Sequence, residues 1–243
     1  MKTIQKYLLT AAGASMLLAG SAQAHTGIYV GVNVGNTDLT DLDTSSPETP
    51  AIASRTLDID SDDDTSFGFK LGYNVLGDRD ENRFNVELYY QNSEHDAESL
   101  NFNSGAINFE DSAGNLEGDL EVETILLRAT YEIELGAIDP YFGIGIGQSD
   151  LDVDVRYGGS VGSASGTQPP FASSSDDATA IEIRIGGEYS VSKNVGIYLE
   201  YSYLKVDDVT FSRTGGGPEG LATTEQTDDF SVDSLNLGVN FKF

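Results

Sequence analysis

The last nine residues indicate the fold class most directly: Leu235-Asn236-Leu237-Gly238-Val239-Asn240-Phe241-Lys242-Phe243. Large apolar side chains occupy its odd positions, while small or polar ones occupy its even positions. A period of two places these sets on opposite faces of a β-strand. The polar face consists of narrow residues and one lysine, which suits the lining of a tight polar interior. An apolar outside and a polar inside is the inverted pattern of a transmembrane barrel strand.

Seven earlier segments show the same alternation, with Leu126 and Gly187 as misfits. These predicted strands are Gly27–Gly35, Ser66–Val75, Arg83–Gln91, Leu120–Ile133, Pro140–Gln148, Ala178–Val191 and Val195–Val206. Short turns alternate with four long connections, Asn36–Thr65, Asn92–Gly118, Ser149–Asp177 and Asp207–Asp229. Such alternation is typical of an up-and-down barrel. The sequence therefore predicts an all-β fold, an eight-stranded antiparallel up-and-down transmembrane β-barrel with short periplasmic turns and long acidic outer loops.

The amino-terminal segment predicts export from the cytoplasm. Lys2 and Lys6 precede an apolar run, Tyr7–Gly20, and Ala22-Gln23-Ala24 has the form of a cleavage site. These are the parts of a secretory signal peptide. An N-terminal anchor helix is the alternative, but the apolar run is too short to span a bilayer and Gly13 interrupts it. We therefore expect cleavage after residue 24 and a single barrel domain over residues 25–243.

Composition and charge exclude several classes of function. The net charge of −27 argues against nucleic-acid binding, because phosphates require a basic face. The chain has no cysteine, which excludes disulfides, thiolate metal sites and lipidation at a lipobox cysteine. No run in the mature chain is long enough for a transmembrane helix. A soluble β-protein is the architectural rival, but it would have to hide eight apolar strand faces.

Charged residues recur on the predicted inner faces, with nearly balanced signs although the whole chain is acidic. The predicted lumen charges are Lys70, Glu87, Arg128, Glu132, Glu182, Arg184, Glu188, Glu200 and Lys242. Lys70 and Glu87 lie at nearly mirror positions across a short turn, so we expect them to pair as cross-strand neighbours. An unpaired charge in a narrow lumen is costly, which favours paired or water-bridged groups. A structural plug is the favoured interpretation, and a proton or ion path is the alternative.

Four stretches carry a resemblance to a known family: Tyr29–Gly35, Gly68–Tyr73, Pro140–Gly147 and Gly238–Phe243. In order, they resemble the small eight-stranded outer-membrane barrels, namely the OmpA transmembrane domain, OmpX and the opacity-type proteins. The resemblance covers the mature chain except its long loops. It implies a place in the bacterial outer membrane, lipid and lipopolysaccharide as partners, and a monomer. It also implies that Phe241 and Phe243 form the signal that the barrel-assembly machinery reads.

Two histidines, His25 and His95, bear on catalysis. Some barrels of this size modify lipopolysaccharide, and their deacylases resemble serine hydrolases with a His beside a Ser on the lipid face. His25 is expected at the mature N-terminus and His95 in a flexible loop, so both are predicted to be surface residues. No predicted strand carries a His-x-Ser sequence. We therefore predict no catalytic residue and no enzymatic activity, with carboxylate catalysis at an outer loop left open.

Acidic residues in the predicted loops raise a cation hypothesis. Asp58, Asp60 and Asp62 have the D-x-D-x-D spacing that begins a calcium loop. An EF-hand would need Gly and Glu where this chain has Asp63 and Phe69, so no EF-hand is predicted. We expect no cofactor; weak Ca²⁺ or Mg²⁺ binding near lipopolysaccharide headgroups is the alternative to a solvated negative surface. Two outward acidic rows belong to that hypothesis: Asp119, Glu121 and Glu123, and Asp150, Asp152 and Asp154.

Three classes of function remain from the sequence. The favoured one is a structural or surface-interaction barrel, which supports membrane integrity and presents its outer loops for adhesion or recognition of an unknown ligand. A small porin-like channel is the first alternative, and the filled, charge-balanced lumen disfavours it. A lipopolysaccharide-modifying membrane enzyme is the second alternative, and the positions of the two histidines disfavour it.

Overall fold

Long antiparallel strands make up almost all of the chain that the computed structural model describes. Described are residues 27–40, 42–46, 55–61, 64–77, 82–103, 108–112, 116–157, 171–172, 176–214 and 223–243. The strands in them are β1 (Ile28–Leu39), β2 (Leu42–Ser46), β3 (Arg55–Ser61), β4 (Asp64–Leu76), β5 (Arg83–Asn103), β6 (Asn108–Ser112), β7 (Leu116–Glu132), β8 (Ile138–Tyr157), β9 (Phe171–Ala172), β10 (Asp176–Ser190), β11 (Val195–Thr214) and β12 (Thr223–Lys242). Within these ranges no helix has the length and apolar character needed to cross a membrane.

Eight of the strands close into a barrel in the order β1-β4-β5-β7-β8-β10-β11-β12, with β12 paired back to β1. All neighbours are antiparallel: Val32, for example, lies opposite Val239 on one side and Phe69 on the other. β5 pairs with β7, where Leu88 faces Leu127. Closure leaves no strand edge in hydrocarbon, where unpaired backbone groups are costly. The predicted eight-stranded antiparallel barrel is confirmed.

The inverted alternation is present around the barrel wall. In β8, Phe142, Ile144 and Ile146 are 55–64% exposed, whereas the intervening Gly143 and Gly145 are buried. Outward apolar positions elsewhere include Val34, Phe67, Leu71, Leu88, Ile125, Leu127, Ile181, Ile183, Ile185, Leu235 and Leu237. These side chains form an apolar band around the outside, while polar side chains fill the inside.

Short turns join the strands at one rim. Gly77, between β4 and β5, and Gly136, between β7 and β8, have positive φ values of 92° and 103°. Residues other than glycine rarely adopt this backbone conformation, so glycine permits both tight reversals. Between β10 and β11 the amide of Val191 donates a hydrogen bond of 2.9 Å to the carbonyl of Val195.

The predicted strand boundaries at the opposite rim are wrong, because the strands run on into the predicted loops. β5 ends at Asn103 instead of Gln91, and β11 ends at Thr214 instead of Val206. Four short strands add to these extensions: β3 and β6 pair with β5, β2 pairs with β3, and β9 pairs with β8. The β-sheet therefore continues well above the apolar band.

Above the apolar band, side chains still alternate between inward and outward positions, but the inward ones are now apolar and the outward ones polar. In β7, Leu120 and Val122 point inward and are buried, while Glu121 and Glu123 are partly exposed on the outside. An exterior of water rather than lipid explains the reversal, since acidic side chains favour water and apolar ones favour a dry interior. The lipid-facing alternation ends where the reversal begins, so the predicted strands end too early.

Glycines on the inner faces seat tyrosines of the neighbouring strands. Tyr29 lies opposite Gly72, and Tyr198 lies opposite Gly238. A Cβ atom at either glycine would collide with the tyrosine ring. Part of the narrow interior is thus filled by aromatic rings that lie across glycine backbone.

Gly72→Ala should destabilise the barrel by about 1–3 kcal/mol, because the added methyl group displaces the Tyr29 ring from a packed interior. The matched control is Gly187→Ala, since the only atom near its added Cβ belongs to the Ile138 side chain. Urea unfolding in lipid vesicles, read from the gel mobility of folded and unfolded bands, measures both. Equal unfolding midpoints for the two variants would contradict the packing role of Gly72.

Candidate functional site: the barrel lumen

Charged side chains meet inside the barrel at the level of the apolar band. Arg128 of β7 is 1% exposed and forms ion pairs with Glu182 of β10 and Glu200 of β11, the latter at 3.4 Å between Nη1 and Oε1. Its guanidinium carbon lies 3.1 Å from the ring centroid of Tyr89. A planar guanidinium suits both contacts, because it stacks on the ring while its N–H groups reach the carboxylates. Arg128 therefore ties β5, β10 and β11 to β7.

Arg184 of β10 is the second centre of the network. Its Nη1 lies 2.8 Å from Oε2 of Glu200, and its Nη2 pairs with Glu87 and donates to Thr130. Tyr141 donates a hydrogen bond of 2.8 Å to the same Glu200 oxygen. Glu200 thus joins both arginines, and the network crosses the barrel from β5 to β11.

A second set of ion pairs lies nearer the short-turn rim. Arg83 pairs with Glu132 and, at 3.4 Å, with Asp139, while Lys242 pairs with Glu188. All predicted lumen charges except Lys242 are buried, and Lys242 is partly exposed. Arg83 and Asp139 belong to the site but were not predicted. Arg83 has an odd number, like the inward residues Asn85 and Glu87 of its strand, so the alternation could have identified it as a lumen residue.

The predicted ion pair between Lys70 and Glu87 is wrong. The register of β4 and β5 places Lys70 opposite Tyr89 and Glu87 opposite Gly72 instead. Glu87 pairs with Arg184, and Lys70 Nζ lies 3.6 Å from the ring centroid of Tyr198. β4 continues to Leu76, one residue beyond its predicted end, and this changes which residues face each other across the turn.

Small hydroxyl side chains form a layer above the charges. Seven of the eight barrel strands carry a buried serine or threonine on the inner face at this level: Thr37, Ser66, Ser93, Thr124, Ser149, Ser202 and Ser234. The hydroxyl oxygens of Thr124 and Ser149 are 2.9 Å apart, and Gln91 donates to Ser234 at 3.3 Å. Because a hydroxyl both donates and accepts, this layer is a polar but uncharged transition.

Apolar side chains fill the interior on both sides of the hydroxyl layer. This cluster, the apolar plug, consists of Leu39, Tyr89, Leu120, Val122, Leu126, Leu151, Ala178, Ala180, Leu204, Val206, Phe230 and Val232. Leu120, Ala180 and Val206 are fully buried. The inward misfit Leu126 belongs to the plug, which explains its exception to the polar inner face. Apolar residues at the upper ends of the predicted inner faces, such as Leu204, could have indicated the plug from the sequence.

The predicted surface position of His95 is wrong. His95 lies in β5, points inward and is 0% exposed, because the strand continues through the predicted loop. Its Nε2 lies 3.1 Å from Oγ of Ser93, which is also buried. The pair has the reverse order of a His-x-Ser sequence and faces the interior rather than lipid. His25 lies outside the described residues.

Carboxylates dominate the outward surface above the apolar band. Glu121 lies directly opposite Asp152 in the neighbouring strand. Lys205 is a cation on this surface, and its Nζ lies 2.8 Å from Asp207 and 3.3 Å from Asp229. Hydrogen bonds from Lys205 to Asp207 and Asp229 raise the pKa of its ammonium group. This surface is therefore strongly negative, and its lysine is held charged.

The cation hypothesis stays a prediction. Within the described part of the chain, no group of three or more histidine or acidic side chains is arranged to hold a metal ion. Asp58 and Asp60 lie in β3 with side chains outside the described residues, and Asp62 lies outside them altogether.

The predicted assembly signal lies where the barrel closes. Phe241 is opposite Val30 in β1 and opposite Val195 in β11. The amide of Phe243 donates a hydrogen bond of 2.9 Å to the carbonyl of Ile28. Reading of Phe241 and Phe243 by the assembly machinery stays a prediction.

Comparisons with known proteins agree with this architecture. A family model described as the outer membrane protein beta-barrel domain matches residues 7–243. The outer membrane protein OprG from Pseudomonas aeruginosa is similar with a TM-score of 0.55 and 15% identity, over 90% of this chain and 98% of that one. The outer membrane protease OmpT from Escherichia coli is similar with a TM-score of 0.52 and 9% identity, over 92% and 99%. No curated protein matches in sequence.

These structural likenesses show the fold alone, because both identities are low. One neighbour is a protease, so this fold is compatible with an enzyme as well as with a barrel that has no catalytic role.

Arg184→Met should destabilise the barrel by about 3–5 kcal/mol, because it removes the ion-pair partner of the buried Glu87 and one of the two ion-pair partners of Glu200. The double variant Arg184→Met/Glu87→Gln should recover part of the loss, since one stranded charge is removed. Lys205→Met, which removes an exposed cation, is the charge-matched control and should change little. Urea unfolding measures all four proteins; a wild-type midpoint for Arg184→Met would contradict the role of the network.

Proposed function

This chain belongs to the outer membrane protein beta-barrel domain family, and on that premise we propose that it is a closed barrel of the bacterial outer membrane that acts through its outer surface. In this proposal it supports membrane integrity and presents a surface for adhesion or recognition. It is neither a channel nor an enzyme. The observation that carries the proposal is the filled lumen.

Three layers close the lumen between the short-turn rim and the opposite rim. Ion pairs around Arg128 and Arg184 lie at the level of the apolar band, and the hydroxyl layer and the apolar plug follow. A hydrated ion would have to displace those ion pairs and then enter an apolar stretch that offers no replacement for its hydration shell. Burying an unpaired charge is costly, and hydrophobic constrictions block conduction by staying dry. The closed lumen supports a surface role over a channel.

The outer surface has two parts that suit different partners. The apolar band faces lipid tails, as its exposed isoleucines, leucines and valines indicate. Above it, the extended strands place carboxylates such as Glu121, Glu123 and Asp152 on the outside. In this proposal these carboxylates lie beside lipopolysaccharide headgroups and within reach of another cell surface. We propose lipid and lipopolysaccharide as the constant partners and leave the surface ligand unnamed.

The Ser93–His95 pair supports the non-enzymatic part of the proposal. Serine and histidine at hydrogen-bond distance form the core of a serine hydrolase site. A catalytic serine must also reach a substrate, and here both side chains are at most 2% exposed inside the barrel. In the neighbouring strand, Val122 lies opposite Ser93 and Leu120 lies opposite His95, and both belong to the apolar plug. We therefore propose that this pair is structural.

We expect no single-channel steps, or only rare small ones, from wild-type protein refolded and inserted into a planar bilayer, because the apolar plug excludes hydrated ions. Steady ion-selective steps would contradict the closed barrel and favour a porin-like channel.

Variants separate the two barriers in the same measurement. Arg128→Ala should stay closed because the plug remains, and Leu120→Gly/Val206→Gly should stay closed because the ion pairs remain. Combining the three substitutions should produce measurable conductance. Each variant is first checked for the folded gel band, and conductance in Arg128→Ala alone would show that the plug is not a barrier.

Mass spectrometry of lipid A tests the enzymatic alternative. Cells that express the wild-type barrel and cells that express Ser93→Ala should contain lipid A species of identical mass, because the Ser93–His95 pair has no access to lipid. Loss of an acyl chain in wild-type cells that disappears with Ser93→Ala would identify a deacylase instead.

A further inference from the structure

A cavity of about 710 Å³ opens at the short-turn rim of the barrel. Its lining at this rim includes Gly27, Gly77 and Phe243. Its inner end reaches Lys70 and Tyr141 in the charged part of the lumen. Outer-membrane barrels place their short turns in the periplasm, so this space is reached from the periplasmic side. Its volume is within the range of small-molecule sites.

The carboxylates in the wall of this cavity already have partners. Glu87 pairs with Arg184 and accepts a hydrogen bond from the Tyr29 hydroxyl. Glu132 pairs with Arg83, and Glu188 pairs with Lys242 and accepts from an asparagine amide at 2.5 Å. Arg83 and Lys242 are engaged by the same contacts. The negative groups of the wall are therefore satisfied and offer little to a cationic ligand.

Lys70 differs from the other cations of the cavity. The residue is 2% exposed, and its Nζ lies 3.6 Å from the centroid of the Tyr198 ring. No carboxylate oxygen of the described residues lies within ion-pair distance of this nitrogen. An ammonium group has three N–H donors, and a ring face satisfies them only in part. A buried ammonium without a carboxylate is costly, so it favours an anion or ordered water in the adjoining space.

We propose that this cavity is a periplasm-side binding site for a small anion, a carboxylate or a phosphate, with Lys70 as its anchoring residue. The Lys70 ammonium nitrogen lies over the Tyr198 ring and Lys70 lines the inner end of the cavity, so an anion there can reach the ammonium group without first breaking an ion pair. The apolar plug lies beyond it, so the anion enters and leaves by the same rim. This inference goes beyond the surface role and does not depend on it.

The mature chain has four lysines, Lys70, Lys193, Lys205 and Lys242, which makes a direct measurement possible. Protein labelled with ¹⁵N-lysine is refolded in detergent, and its ammonium signals are followed during titration with inorganic phosphate and, separately, with acetate. The buried Lys70 signal should shift and saturate, while the exposed Lys193 and Lys205 signals should move only with ionic strength. A chloride titration to equal ionic strength supplies that baseline.

Two variants complete the test by isothermal titration calorimetry with phosphate. Lys70→Met keeps the side-chain stem and removes the charge, and it should weaken binding by at least about tenfold. Lys205→Met removes the same charge from the outer surface and should bind as wild type does. The proposal is overturned if the wild-type Lys70 signal does not saturate, or if Lys70→Met binds phosphate as tightly as wild type. Tighter binding of phosphate than of acetate would identify a phosphate as the ligand, and the reverse preference would identify a carboxylate.

Discussion

A sheet that crosses hydrocarbon cannot leave an edge, because a backbone N–H or C=O without a partner there is very costly. Closure into eight strands meets this constraint and creates a narrow interior, into which each strand sends every second side chain. The tyrosines that lie across Gly72 and Gly238 and the ion pairs of Arg128 and Arg184 solve the same problem. They fill much of a thin cylinder and give most of its buried charges an ion-pair partner.

The charged network fills the cylinder in a way that aliphatic side chains cannot. Arg184 of β10 reaches Glu87 of β5, and Arg128 of β7 reaches Glu200 of β11, so the ion pairs connect strands that are not neighbours in the sheet. Buried ion pairs are weak contributors to net stability, because desolvation offsets much of their attraction. Their geometry does restrict which strands face each other across the lumen. We attribute to these ion pairs the selection of one strand arrangement rather than the total stability of the barrel.

The sequence predicted the strand count, the antiparallel closure and the inward position of the lumen charges, because lipid outside and polar side chains inside impose a strict period of two. It did not predict the strand ends, because the polarity of the period reverses where water replaces lipid, as at Glu121 and Leu120. That reversal also hid the apolar plug and the burial of His95. The ion pair of Lys70 with Glu87 was wrongly predicted because the register across the turn depends on where β4 ends, and residue spacing did not show that end.

The acidic outward face of the upper strands constrains how the barrel is inserted. If a finished barrel were pushed through the bilayer from the short-turn side, Glu121, Glu123 and Asp152 would have to cross hydrocarbon while facing lipid. Their passage is far easier before β1 and β12 join, inside an opening that keeps water against the carboxylates. Once the seam is sealed, the same charges oppose any return. The outward carboxylates therefore fix the orientation of the barrel in the membrane once β1 and β12 have paired.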